Sequence, residues 1–117
     1  MYLIFDTETT GLPKSWNAPI TDTDNWPRCI QIAWQLHDEL GNIVEHNDFL
    51  IQPDCFNIPY DAERIHGIST ELADKKGVDL VDSLHKFNEA LKERSSRGHY
   101  AEITFIGVNS AKIKEHK

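Results

Sequence analysis

Two carboxylates stand one residue apart at the end of an apolar run. Asp6 and Glu8 follow Tyr2, Leu3, Ile4 and Phe5, and Thr9, Thr10, Gly11, Leu12 and Pro13 come next. On a strand, side chains two apart point to the same face, so this pair presents hard oxygen donors side by side. Such donors suit Mg²⁺, which is commonly held by one or two carboxylates with phosphate oxygens and waters completing its shell. A pair of ions held in this way activates water and stabilises the leaving oxygen in phosphodiester hydrolysis.

Spacing alone does not carry that reading. With 19 acidic residues in 117, an acid-x-acid triplet is expected about three times by chance. Three occur: Asp6/Glu8, Asp22/Asp24 and Asp61/Glu63. Only the first follows a β-forming apolar run and precedes a Thr-Thr-Gly-Leu-Pro turn. The competing reading of Asp6 and Glu8 is a solvated strand end.

The elements that must position the pair are legible in the periodicity. Residues 2–5 predict a short buried strand, broken by the turn residues after it. Residues 14–27, rich in Ser, Asn, Pro, Thr and Asp, predict an exposed excursion that Trp16 and Trp26 pin down. Over residues 28–37, Ile30, Ile32, Trp34 and Leu36 alternate with Gln31, Ala33, Gln35 and His37, which is strand periodicity. Residues 38–42, with Gly41 and Asn42, form a turn, and residues 43–51 return as a third strand of an antiparallel meander. Beyond a loop bracketed by Pro53 and Pro59, residues 61–65 predict a helical turn ended by His66-Gly67, and Ser69 caps another. Leu80, Val81, Leu84, Phe87, Ala90 and Leu91 recur at three and four, predicting an amphipathic helix over 79–93. Residues 103–108 predict a fourth strand, followed by a short basic tail.

Composition narrows the class. At 39% hydrophobic and 26% charged residues, 117 residues make one domain, residues 1–117, and leave no room for two. No apolar run approaches the roughly eighteen residues of a membrane span, and the N-terminus lacks the basic start and long apolar core of a signal peptide. The expected compartment is the cytoplasm, with no membrane partner. Cys29 and Cys55 sit in no metal-ligand spacing and are expected to be reduced thiols. The net charge of −7 argues against nucleic-acid binding by broad phosphate neutralisation. It is compatible with a site at which metal ions reverse the local sign.

The string YLIFDTETTGLP resembles the first motif of the DnaQ-like, or DEDD, 3′–5′ exonuclease family, which includes the proofreading subunit of bacterial replicative polymerases. The order of elements is similar over roughly residues 1–94: a meander, then IPYDAERIHGIS, which resembles the segment before the family's first long helix, then that helix. The resemblance implies an α/β, ribonuclease H-like fold, with the fourth strand beside strand one. It makes Asp6 and Glu8 the first two metal-binding, catalytic carboxylates. Thr9, Gly11 and Leu12 become the turn that packs against the terminal nucleotide, and His66 a further contact to it. It also implies two Mg²⁺ or Mn²⁺ ions in the complete site, the 3′ end of single-stranded DNA or RNA as substrate, and DNA polymerase subunits as partners. Taken alone, His66 reads as a helix-end histidine beside the last carbonyls.

Later motifs depart from the family's pattern. The second resembles Gly-His-Asn followed by Phe-Asp, whereas here Val108 stands for the His and Ile113 at the place of the Asp. The third needs a His or Tyr with an Asp five residues later; none in this chain meets that rule, and its last aspartate is Asp82. Two metals would then be under-ligated and the attacking water would lack its proton acceptor. The expectation is a C-terminally incomplete or altered exonuclease domain, weak or inactive alone, whose sheet keeps an open edge. The alternative is a non-catalytic nucleic-acid or protein interaction module on the same scaffold. Haloacid dehalogenase-like phosphatases also begin with a strand running into Asp-x-acid. Their second acid is normally Asp, their turn runs Gly-Thr, and a parallel fold follows, where a long hairpin follows here.

Overall fold

A computed structural model describes the backbone of residues 1–95 and 104–108. The described elements are β1 (Tyr2–Thr9), β2 (Cys29–His37), β3 (Ile43–Leu50), α1 (Tyr60–His66), α2 (Thr70–Lys76), α3 (Leu80–Ser95) and β4 (Thr104–Val108). The sheet order is β3-β2-β1-β4. β1, β2 and β3 form the expected antiparallel meander, and β4 pairs with β1 in parallel. Ile103, Ile113 and the tail lie outside the described residues.

β1 runs four residues beyond the predicted strand. Thr7 and Thr9 are β-branched and suit a strand, and β2 supplies their partners, with Thr7 opposite Ile32 and Glu8 opposite Gln31. Asp6 and Glu8 therefore lie inside the ladder and not at its exit. A register shift between Glu8 and Thr9 marks an irregularity just past the second carboxylate, of the kind that bends a strand and re-aims its side chains.

β2 follows its alternation: Ile30, Ile32, Trp34 and Leu36 are all buried. The hairpin to β3 is closed by Asp38, whose Oδ1 accepts from the backbone N–H groups of Leu40 and Asn42, each at 2.9 Å. Those donors, Asn42 first, hold the Asp38 carboxyl below its ordinary range. Gly41 supplies the left-handed conformation of the turn, at φ 85°.

Two apolar clusters hold the layers together. In the first, Leu3, Ile32, Trp34, Leu36 and Ile51 meet Phe49, Phe87 and Leu91, with the Phe87 ring edge-on to Trp34 at 5.2 Å. α3 thus covers one face of the sheet. The second gathers Ile30, Ile58, Ala62, Ile68 and Ala73 under α1 and α2. Both short helices end and begin as predicted. Gly67, at φ 75°, caps α1, its N–H donating to the Glu63 carbonyl, and Ser69 Oγ accepts from Leu72 N at 3.1 Å. Asp79 caps α3 and does not open it: its Oδ1 accepts from Val81 N at 2.8 Å. No described helix is long and apolar enough to cross a membrane.

Candidate active site

Alternation along β1 sends Leu3, Phe5 and Thr7 to the face covered by α3, where Phe5 meets the Phe87 ring at 6.4 Å. It sends Ile4, Asp6 and Glu8 to the other face. Asp6 lies between Ala33 on β2 and Val108 on β4, and Glu8 lies opposite Gln31. The ladder on both sides fixes the backbone from which the carboxylates project.

One carboxylate oxygen, Asp6 Oδ1, is buried without a hydrogen-bond partner. An ionised oxygen in that position is costly. Burial pushes the Asp6 carboxyl above its ordinary range, against the pull of a hydrogen bond from the Thr7 backbone. Glu8 is raised as well, first by burial and then by the charge of Asp6, while His66 opposes both effects. Glu8 therefore feels the charge of both Asp6 and His66.

His66 is oriented by its own helix end. Its Nδ1 accepts from Ile68 N at 3.0 Å, so the proton of the neutral ring sits on Nε2. That nitrogen is buried and has no partner. Asp6 thus carries an unanswered acceptor and His66 an unanswered donor.

The turn after β1 adjoins this group. Thr9 Oγ1 donates to the Gly11 carbonyl at 2.8 Å, and Gly11 adopts φ 151°. Leu12 follows with 58% of its surface exposed. Of the residues singled out in the sequence, Asp6 and Glu8 share one strand face, His66 acts on Glu8, and Thr9, Gly11 and Leu12 form the turn that follows. Cys29 and Cys55 are free thiols, and burial raises the Cys29 thiol.

Three further residues, Thr10, Arg28 and Asn25, build this end of the molecule. Thr10 N donates to the Arg28 carbonyl at 2.9 Å, and Arg28 N donates to Thr10 Oγ1 at 3.0 Å. Deeper in the excursion, the buried Asn25 side chain bridges Ser15, accepting from its N–H at 2.7 Å and donating to its carbonyl at 2.9 Å. Periodicity carries no signal for Asn25, because its partner lies ten residues away.

Asp6 and Glu8 pass a simple test as ligands of a divalent cation. They are hard oxygen donors drawn toward protonation by burial, and Glu8 also by the charge of Asp6; a cation would answer the orphaned Oδ1 and reverse both shifts. They are two donors only: no group of three or more His, Cys, Asp and Glu able to hold a metal forms among the described residues.

A family model described as exonuclease (RNase_T) matches residues 3–117. No curated protein matches the chain. Among solved structures, Escherichia coli exonuclease I in complex with a dA16 oligonucleotide is 21% identical with a TM-score of 0.63, covering 91% of this chain and 20% of that one. The same enzyme with a 5cy-dT13 oligonucleotide is 23% identical with a TM-score of 0.59, covering 76% and 18%. A product-bound exonuclease I is 22% identical with a TM-score of 0.63, covering 95% and 22%. This chain therefore spans about a fifth of the length of those proteins. At these identities the likeness establishes the ribonuclease H-like α/β fold expected from the sequence.

Proposed function

Because the chain belongs to the exonuclease family whose model it matches over residues 3–117, we propose that it supplies the first two metal-binding carboxylates, Asp6 and Glu8, of a 3′–5′ exonuclease. The observation that carries this reading is the buried, unpartnered Asp6 Oδ1 beside a second carboxylate on the same strand face. The substrate is the 3′ end of single-stranded DNA or RNA; the fold relatives hold oligonucleotides such as dA16 and dT13. DNA polymerase subunits as partners, and the cytoplasm as compartment, belong to the same reading.

Mg²⁺ or Mn²⁺ between the carboxylates would neutralise charge on the scissile phosphate and acidify water. Asp6 and Glu8 present oxygens whose positions the β1 ladder holds in advance. His66 offers its Nε2 proton to the terminal nucleotide, with the ring kept in register by the Ile68 amide. The Thr9–Gly11 turn and the exposed Leu12 pack against that nucleotide.

Calorimetric titration with Mn²⁺ tests the assignment. Binding is expected in the native chain and a loss of about tenfold or more in Asp6→Asn and Glu8→Gln. Affinity equal in all three proteins would sink it. With a 5′-labelled oligonucleotide, slow shortening from the 3′ end is expected, and it should vanish in Asp6→Asn. The second reading, a scaffold that binds without cutting, is favoured by Val108, which stands opposite Asp6 where the family pattern has a histidine. Metal and oligonucleotide binding with no shortening at all would select it.

A further inference from the structure

Beyond Glu8 the chain leaves the sheet for residues 10–28, and this excursion is built, not loose. The Thr10–Arg28 backbone pair closes its base, Lys14 N donates to the Asn25 carbonyl at 3.1 Å, and the Asn25 side chain grips both backbone groups of Ser15. Trp26 is fixed at its edge, Nε1 donating to the Pro19 carbonyl at 2.9 Å. The result is an open groove of about 540 Å³ lined by Ile20, Thr23, Asp24, Trp26, Pro27 and Arg28. Ile20 is 90% exposed, a large cost in water for an aliphatic side chain held on a rigid scaffold.

We propose that this groove is a stacking subsite for a nucleobase of the single strand whose 3′ end reaches Asp6 and Glu8, a subsite that rests on the nuclease reading above. Three observations select this occupant. The first is chemistry: an indole, a proline ring and an aliphatic side chain are apolar surfaces on which bases stack without regard to sequence. The second is charge: Asp24 lines the groove and repels phosphate, so the base enters and the backbone passes outside. The third is continuity. Arg28 pairs with Thr10, two residues past Glu8, which puts its backbone about 8 Å from that of Glu8 at strand spacings. A strand end held at the carboxylates therefore has its preceding nucleotides beside the groove.

The test compares the native chain with Ile20→Ser, a neutral change at a side chain whose exposure leaves the fold untouched. Leu40→Ser, at an equally exposed position (86%) on the β2–β3 turn, serves as the control. Fluorescence anisotropy in Ca²⁺ measures a 5′-fluorescein octathymidylate, and calorimetry measures thymidine 5′-monophosphate. The expected result is about fivefold to tenfold weaker octathymidylate binding in Ile20→Ser, unchanged binding in Leu40→Ser, and equal mononucleotide affinity in all three. Octathymidylate affinity unchanged in Ile20→Ser overturns the subsite and leaves the groove to a protein partner. An octathymidylate that binds the native chain no tighter than the mononucleotide also overturns it, with the carboxylate reading intact. If the native chain binds neither ligand, the nuclease reading fails and the subsite fails with it.

Discussion

The residue that governs this site is Asp6, and its carboxyl has opposite consequences for stability and for function. Burial raises the folded-state pKa of Asp6 and Glu8, so the native protein holds those protons more tightly than the unfolded chain. For a raised carboxyl the sign is unfavourable: stability is undiminished below the ordinary carboxylate range, falls as pH rises toward the folded pKa, and stays lowered above it. In the absence of metal, Asp6→Asn should therefore raise Tm at pH 7 by roughly 1–3 °C, a small figure because solvent screens part of the effect. The gain should disappear near pH 3. A thermal melt in chelator at both pH values checks this, and an Asn variant less stable than the native chain at pH 7 contradicts it. The two carboxylates were legible in the sequence because a β-forming run precedes them and a Gly-containing turn follows. The orphaned oxygen was not, since Asp6 sits in a ladder whose two partner strands lie far off in sequence.

Among the elements, the alternation of Ile30, Ile32, Trp34 and Leu36 predicted β2 face by face, and Gly67 and Ser69 predicted the helix caps. These signals are local, set by neighbours within four residues. The continuation of β1 through Thr9 is not local, because pairing with β2 keeps polar residues in the strand. The second apolar cluster is likewise assembled from Ile30, Ile58, Ala62, Ile68 and Ala73, which share no period. The join between α2 and the sheet rests on Gly77, which shows no turn signature. A Cβ there would lie 2.5 Å from the amide nitrogen of Gln52 and 2.7 Å from the carbonyl carbon of Ile51. Gly77→Ala should cost about 1–3 kcal/mol in urea unfolding, by prising Val78 from its bridge to Ile51. Gly41→Ala, where the added methyl meets nothing and only φ is unfavourable, should cost about 1 kcal/mol. A larger loss at Gly41 than at Gly77 would contradict the close crossing.

At the scale of the whole molecule, a net charge of −7 and a site built of carboxylates separate this chain from proteins that hold nucleic acid through phosphate contacts. Oligonucleotide affinity should fall only gently with salt, with a slope of log K against log salt of about −1 to −2. Removing divalent ions with chelator should abolish it. A steep slope that survives chelation would point to a basic surface instead. The register of β4 adds a constraint in time. Val108 pairs beside Asp6, so β1 and its parallel partner are made about a hundred residues apart. Such distant pairing is slow to form and comes after local structure. On a ribosome the acidic pair therefore emerges well before β4 and stays unflanked on that side until residues 104–108 have been synthesised. Until then the nascent chain carries Asp6 and Glu8 on a strand that is paired on one side alone.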